Sequence, residues 1–140
     1  MLFRRTAIDC SARLRDLQLG TCRLALGTAG LGGIWGPVDE GESIATILYG
    51  LEQGIDVLDT APCYQQAECY VGKALRQWRG KRPIVSTKVG RFADSHDYSP
   101  AAIRQSVKRS LDIVGLDCID LLFVHEPEFV PAAQRTALID

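Results

Sequence analysis

Short runs rich in apolar residues, at positions 24–26, 55–58, 83–87 and 119–124, alternate along the chain with longer stretches in which apolar residues return every three or four positions. The first run, Leu24-Ala25-Leu26, ends at Gly27-Thr28 and opens into Gly30, Gly32, Gly33 and Gly36 before Pro37. That order predicts a buried strand feeding a mobile, glycine-rich loop. Ile44, Ile47, Leu48 and Leu51 share one face of a helix over 40–53, which Gly54 stops. A second helix is expected over 67–78, ended by Gly80. The third starts where Ser99 can cap free amides and Pro100 takes the first helical position, and its expected buried stripe is Ile103, Val107, Leu111 and Val114. Gly115 closes it, and residues 131–140 have helical composition without a cap. Strands alternating with helices in this way predict an α/β fold built of βαβ units on a parallel sheet.

In α/β barrels the chemistry sits at the carboxyl ends of the strands. Asp59, Tyr64, Lys88 and His125 each lie at or just past such an end. Taken singly, they read as a turn carboxylate, a loop phenol, a strand-end surface charge and a hydrogen-bonded histidine. Taken together on successive strands, they make a proton-transfer site. A tyrosine with a pKa near 10 is a hesitant acid at neutral pH, and a neighbouring ammonium stabilises its phenolate form. Lys88 is placed to supply that charge, Asp59 to hold the lysine, and His125 to bond a substrate oxygen. An acid aimed at a carbonyl or alcohol oxygen suits hydride transfer with a nicotinamide, because no side chain donates hydride. The glycines after the first strand lack the G-x-G-x-x-G spacing, so a Rossmann site is not supported.

Composition narrows the partners. The chain has 140 residues, 46% hydrophobic and 24% charged, with a formal net charge of −1, the profile of one soluble domain. Lys and Arg are scattered among acids, which argues against nucleic acid. Neither a signal peptide nor a run of about 18 apolar residues is visible, so the expectation is a cytoplasmic protein with no membrane partner. Cys10, Cys22, Cys63, Cys69 and Cys118 are odd in number and have no C-x-x-C spacing, so neither a disulfide framework nor a metal site is expected. Cys63, beside Tyr64, would be a nucleophile only with a base or helix N-terminus nearby. Trp35 is available either to stack on a substrate or to pack its loop. His96, in the polar stretch Asp94-Ser95-His96-Asp97, reads as part of a solvated loop rather than as a metal ligand, and Arg4-Arg5 as a solvated terminus.

Several segments, in order, carry a resemblance: Leu26-Gly27-Thr28, then Asp59-Thr60-Ala61 with Tyr64, Glu68 with Gly72, Ser86-Thr87-Lys88-Val89-Gly90, and Ile119-Asp120-Leu121-Leu122 leading to His125. Over residues 17–129 the chain resembles the N-terminal half of an aldo-keto reductase. The resemblance implies about four β/α units of a TIM-type (β/α)8 barrel, with residues 1–140 a partial domain truncated on its C-terminal side. It implies Tyr64 as general acid or base, Lys88 as its pKa partner, Asp59 as the lysine's counter-ion and His125 as the residue orienting the substrate. It also implies NADP or NAD as cofactor, with Gly27, Thr28 and Asp59 on the cofactor side. A small carbonyl or sugar substrate would lie near Trp35 and His125.

The segments at 32–38, 96–99 and 125–129 resemble the branch holding the L-galactose, L-fucose and D-threo-aldose 1-dehydrogenases, which oxidise an aldose to a lactone. Two positions depart from the family pattern: Gln65 where glycine commonly follows the tyrosine, and Ala67 where serine precedes the glutamate. Both bear on substrate fit more than on reaction type. In the family the nucleotide's phosphates and adenosine bind on later strands, which leaves the choice between NAD and NADP downstream.

Four strands cannot close a barrel of eight and leave two unpaired edges. Either about 150 further residues are expected downstream, on the usual barrel size, or two copies complete each other by self-association through the open sheet edges. The alternative reading is a catalytically inactive half-barrel fragment, or one serving as a binding or assembly module.

Overall fold

The computed structural model describes residues 24–132. Arg4-Arg5, Cys10, Cys22 and all but the first two positions of the helical stretch expected at 131–140 lie outside them. The elements run β1 (Leu26–Gly27), α1 (Glu40–Glu52), β2 (Val57–Asp59), α2 (Ala67–Gln77), β3 (Ile84–Val89), α3 (Pro100–Val114), β4 (Leu121–Val124) and a short 3-10 turn at Pro127–Phe129. The strands form one parallel sheet in the order β1-β2-β3-β4.

The helices begin where local chemistry satisfies their free amides. Asp39 accepts from Glu42 N at 2.8 Å ahead of α1, and Ser99 accepts from Ala102 N at 3.3 Å ahead of α3. Gly115 ends α3 in the left-handed region at φ 78, as a glycine can without steric cost. Between sheet and helices lies a core of Ile47, Leu51, Leu58, Val71, Val85 and Val114. α2 and α3 approach closely at Gly72, where a Cβ would stand 2.5 Å from the Ile113 carbonyl oxygen.

The buried stripe on α3 differs from the expected one. Its buried line is Ser106, Ser110 and Val114, while Ile103, Val107 and Leu111 are only half-buried.

The strands also sit further along the chain than predicted. β2 includes Asp59 and β3 includes Lys88, so both functional side chains stand on the strands rather than after them. β4 starts at Leu121 and not at 119. Asp120 explains the difference: its carboxylate accepts from Val85 N at 2.8 Å and from Arg82 at 2.9 Å, taking the place of a ladder bond at the start of the strand. Successive side chains point to opposite sides of a strand. Val85, Thr87 and Val89 are buried on one side of β3, while Ser86 and Lys88 share the other with Asp59. β4 forms one margin of the sheet and leaves Leu122 and Phe123 about half exposed. No helix among the described residues is long and apolar enough to cross a membrane.

Backbone hydrogen bonds tie the glycine-rich loop together. Gly32 N donates to Thr28 O at 2.9 Å, Gly33 N to Gly30 O at 3.2 Å and Gly36 N to Gly33 O at 3.2 Å. Gln66 N reaches across to Gly32 O at 3.2 Å, and a Cβ on Gly32 would collide with the Tyr64 carbonyl at 2.0 Å. The loop after β1 is thereby pressed against the loop that carries Tyr64.

Candidate active site

At the carboxyl end of the sheet the Asp59 carboxylate uses both oxygens. One accepts from Ser86 Oγ, and the other lies 2.7 Å from Lys88 Nζ. Lys88 Nζ also donates to Thr60 O at 3.0 Å. The lysine side chain is 14% exposed and that of Asp59 32%, so the pair is screened weakly on one side and reached by water on the other. Thr28 secures the strand end from behind, since its backbone N and its hydroxyl both donate to Asp59 O at 2.9 Å. Thr28 is wholly buried, with its hydroxyl engaged by the Asp59 carbonyl. Gly27 beside it is exposed, with no atom within 4 Å of where a Cβ would stand.

Tyr64 lies on the loop between β2 and α2, where Tyr64 N donates to Ala61 O at 3.0 Å and Ala67 N to Tyr64 O at 3.0 Å. Lys88 Nζ stands 4.7 Å from the centre of the Tyr64 ring. The neighbouring charge expected for Tyr64 is therefore supplied over the ring face and not at the hydroxyl, because the lysine's donors are directed to Asp59 and Thr60. Among the described residues the Tyr64 hydroxyl meets no hydrogen-bond partner. The His125 ring meets Tyr64 edge-on, with centroids 5.7 Å apart at 89°.

His125 is held by its backbone. Its N donates to Val89 O at 2.8 Å, and the Tyr98 hydroxyl lies 2.8 Å from both the His125 and the Glu126 carbonyl oxygens. Tyr98 can sit there because Gly90, at φ 95, has no Cβ; one would lie 2.1 Å from the tyrosine ring. Glu126, itself left-handed at φ 52, pairs with Arg91 and with His96 Nε2 at 2.7 Å, and the His96 ring stacks on Phe129 at 4.7 Å. His96 is thus held by its neighbours rather than loose in solvent. It braces the turn that follows β4. On the other side of β3, the buried Glu68 accepts from Thr87 Oγ1 at 2.7 Å and ties α2 to the strand that carries Lys88.

Sequence reasoning missed Tyr98, Arg91, Glu126 and Thr60 as parts of this site. Ser86 was within reach, since strand alternation two residues before Lys88 puts it on the face of Asp59. Trp35 is 82% exposed, and its ring lies against Gly30, where a Cβ would meet it at 2.8 Å. It packs on its own loop, and the rest of its surface is open.

Burial holds the His125 imidazole below its usual value of 6.5, the Lys88 and Arg91 charges add to this, and Glu126 and Asp59 oppose it. Burial also raises the Cys63 thiol above 9.0, against the lowering influence of Arg91 and Lys88. Cys63 does have a base beside it, His125, but it is kept as a neutral thiol. The histidine has a consequence for stability. Between its lowered folded value and 6.5 the unfolded chain binds a proton that the folded chain does not, so stability is complete above about pH 6.5 and falls as pH drops below it. Urea-unfolding midpoints measured against pH should show this decline. His125→Gln should flatten it, leaving Glu126, also lowered, to act only below 4.5.

The aldo/keto reductase family model matches residues 23–136. L-galactose dehydrogenase of Arabidopsis thaliana is 36% identical over 128 residues, covering 89% of this chain and 40% of that protein. D-threo-aldose 1-dehydrogenase of a Pseudomonas species is 30% identical over 131 residues, covering 75% of this chain and 40% of that protein. The crystal structure of a Pseudomonas aeruginosa protein described as an aldo-keto reductase superposes with a TM-score of 0.68 at 30% identity, covering 86% of this chain and 52% of that one. The chain therefore spans about 40% of the length of the curated relatives it matches. Its parallel α/β units correspond to about half of a (β/α)8 barrel.

Proposed function

Because the chain belongs to the aldo/keto reductase family, we propose that it carries the proton-transfer site of a nicotinamide-dependent oxidoreductase whose substrate is an aldose or another small carbonyl compound. The observation that carries this reading is the Lys88 ammonium, fixed by Asp59 and set over the ring of a tyrosine whose hydroxyl has no hydrogen-bond partner among the described residues. A positive charge 4.7 Å from the ring centre stabilises a phenolate, whose charge is spread into the ring. Tyr64 would then give its proton to a carbonyl oxygen in reduction and take one from a hydroxyl in oxidation. His125, kept neutral by its surroundings, would hold the same oxygen through a ring N–H.

The exposed Gly27 and the end of β2 at Asp59 leave uncrowded surface where a flat ring can lie against backbone. Gly27 and Asp59 would hold the nicotinamide end, while Thr28 fixes Asp59 from behind. NADP or NAD supplies the hydride chemistry when bound. The L-galactose and D-threo-aldose relatives support an aldose as substrate, oxidised at the anomeric carbon to a lactone. The test is a panel of aldoses and small aldehydes, assayed with each cofactor by the absorbance of reduced nicotinamide. Turnover of aldoses is expected. Turnover of aldehydes alone would keep the reaction type and remove the sugar. No turnover of either by folded protein would defeat the enzymatic reading in favour of a binding module.

A further inference from the structure

Cys63 Sγ lies 3.4 Å from His125 Nδ1, across a sequence separation of 62 residues. We propose that Cys63 is a positioning residue that sets the tautomer of His125, its thiol donating to Nδ1 so that the ring proton resides on Nε2. The proposal rests on the reading of His125 as the residue that holds a substrate oxygen, but the tautomer itself exists without substrate.

The direction of the bond follows from the chemistry of the two groups. A neutral imidazole has one donor and one acceptor nitrogen, and a thiol can give its single proton or accept weakly at sulfur. Nδ1 is a strong acceptor and sulfur a weak one, so S–H to Nδ1 is the better match than Nδ1–H to sulfur. The ionic alternative, a thiolate facing an imidazolium, is opposed at both ends. Cys63 is buried enough for its thiol to be raised, and His125 faces the cations Lys88 and Arg91, which disfavour a further positive charge more than Asp59 and Glu126 favour it. With the thiol as donor, Nδ1 must accept, and the proton is left on the opposite nitrogen, pointing away from Cys63.

The geometry gives the ring little room to avoid this arrangement. The His125 backbone is bonded at N to Val89 and at its carbonyl to Tyr98, and the ring meets Tyr64 edge-on. Cys63 is the one hydrogen-bond partner of the ring among the described residues. Cys63 also precedes Tyr64 on the same loop, so the segment that presents the acid also orients the donor beside it. In the other tautomer the far nitrogen would present a lone pair to a carbonyl oxygen and repel it. A thiol at this position therefore acts on substrate only through the imidazole.

The wild-type chain can be tested directly, labelled with nitrogen-15, by long-range proton–nitrogen correlation of the histidine rings. The chain has two histidines, so a His96→Gln variant assigns the signals. The expected wild-type spectrum at neutral pH shows a single His125 tautomer with its proton on Nε2. Cys63→Ala should give a mixture of tautomers and an upward shift of the His125 titration, while Cys63→Ser, which keeps a donor, should stay close to wild type. In turnover assays Cys63→Ala should lower kcat by about 3- to 10-fold, the range of one hydrogen bond, with KM moved less.

A wild-type ring with its proton on Nδ1 overturns the proposal, and so does a Cys63→Ala spectrum identical to wild type. If Cys63→Ala does not fold, the wild-type spectrum still decides. Because the tautomer is read without cofactor or substrate, a protein with the expected spectrum and no turnover would count against the oxidoreductase reading alone.

Discussion

Tyr64→Phe should lower turnover by about 1,000-fold or more, within the range ascribed to a single general acid or base, while the cofactor dissociation constant stays within about 2-fold, because the lost group acts on the substrate oxygen alone. The substitution removes one oxygen and leaves the ring beneath Lys88 and against His125. That hydroxyl has no protein partner among the described residues, so its loss breaks no structural bond and the urea midpoint should not move. Steady-state kinetics, a nicotinamide fluorescence titration and an unfolding curve together check the claim. Retained activity would remove Tyr64 from the chemistry. A large loss of stability would mean that the hydroxyl is structural.

Asp59→Ala should damage both stability and activity. Breaking a buried ion pair from one side costs about 3–5 kcal/mol because the remaining charge stays unpaired. Asp59 is about one-third exposed, so water reaches the site and the expected loss falls to about 2 kcal/mol. The Lys88 ammonium would keep only the Thr60 carbonyl, and Ser86 would lose its acceptor. Activity should fall by about 100-fold or more, since the charge over Tyr64 would no longer be held in place. Adding Lys88→Met to Asp59→Ala tests the cause through a double-mutant cycle. Removing the orphaned ammonium should recover part of the stability and none of the turnover. A single variant as stable and active as wild type would show that the counter-charge is dispensable.

Much of the frame could be read from local pattern. Ser99-Pro100 and Gly115 bound α3 as expected, and the apolar steps from Ile44 to Leu51 mark the buried face of α1, with Leu48 half-buried at its margin. Capping and periodicity are short-range effects, so neighbouring residues suffice to reveal them. The strand limits were less legible. Asp120 looks like a polar interruption in a strand, and only its bond to Val85 N shows that the strand begins after it. Ser106 and Ser110 look like surface positions, yet both are buried.

The same division runs through the candidate site. Asp59, Tyr64, Lys88 and His125 were visible because strand ends in a parallel sheet share one edge, so chain order alone brings them to the same place. Apart from Ser86, their supports were not visible. His96 reads as a loop residue, yet it meets Glu126 thirty positions later, and Cys63 meets His125 across sixty-two.

What the sequence determined by itself is therefore the alternation of strands and helices, their main caps and the list of groups that gather at the carboxyl edge. Tertiary structure decided how those groups meet: a lysine over a ring and not at its hydroxyl, a threonine turned inward behind Asp59, and a thiol set against an imidazole. Periodicity reports which side of an element is buried. Hydrogen-bond partners far apart in the chain depend on the angles and distances at which whole elements pack, and no local pattern encodes these.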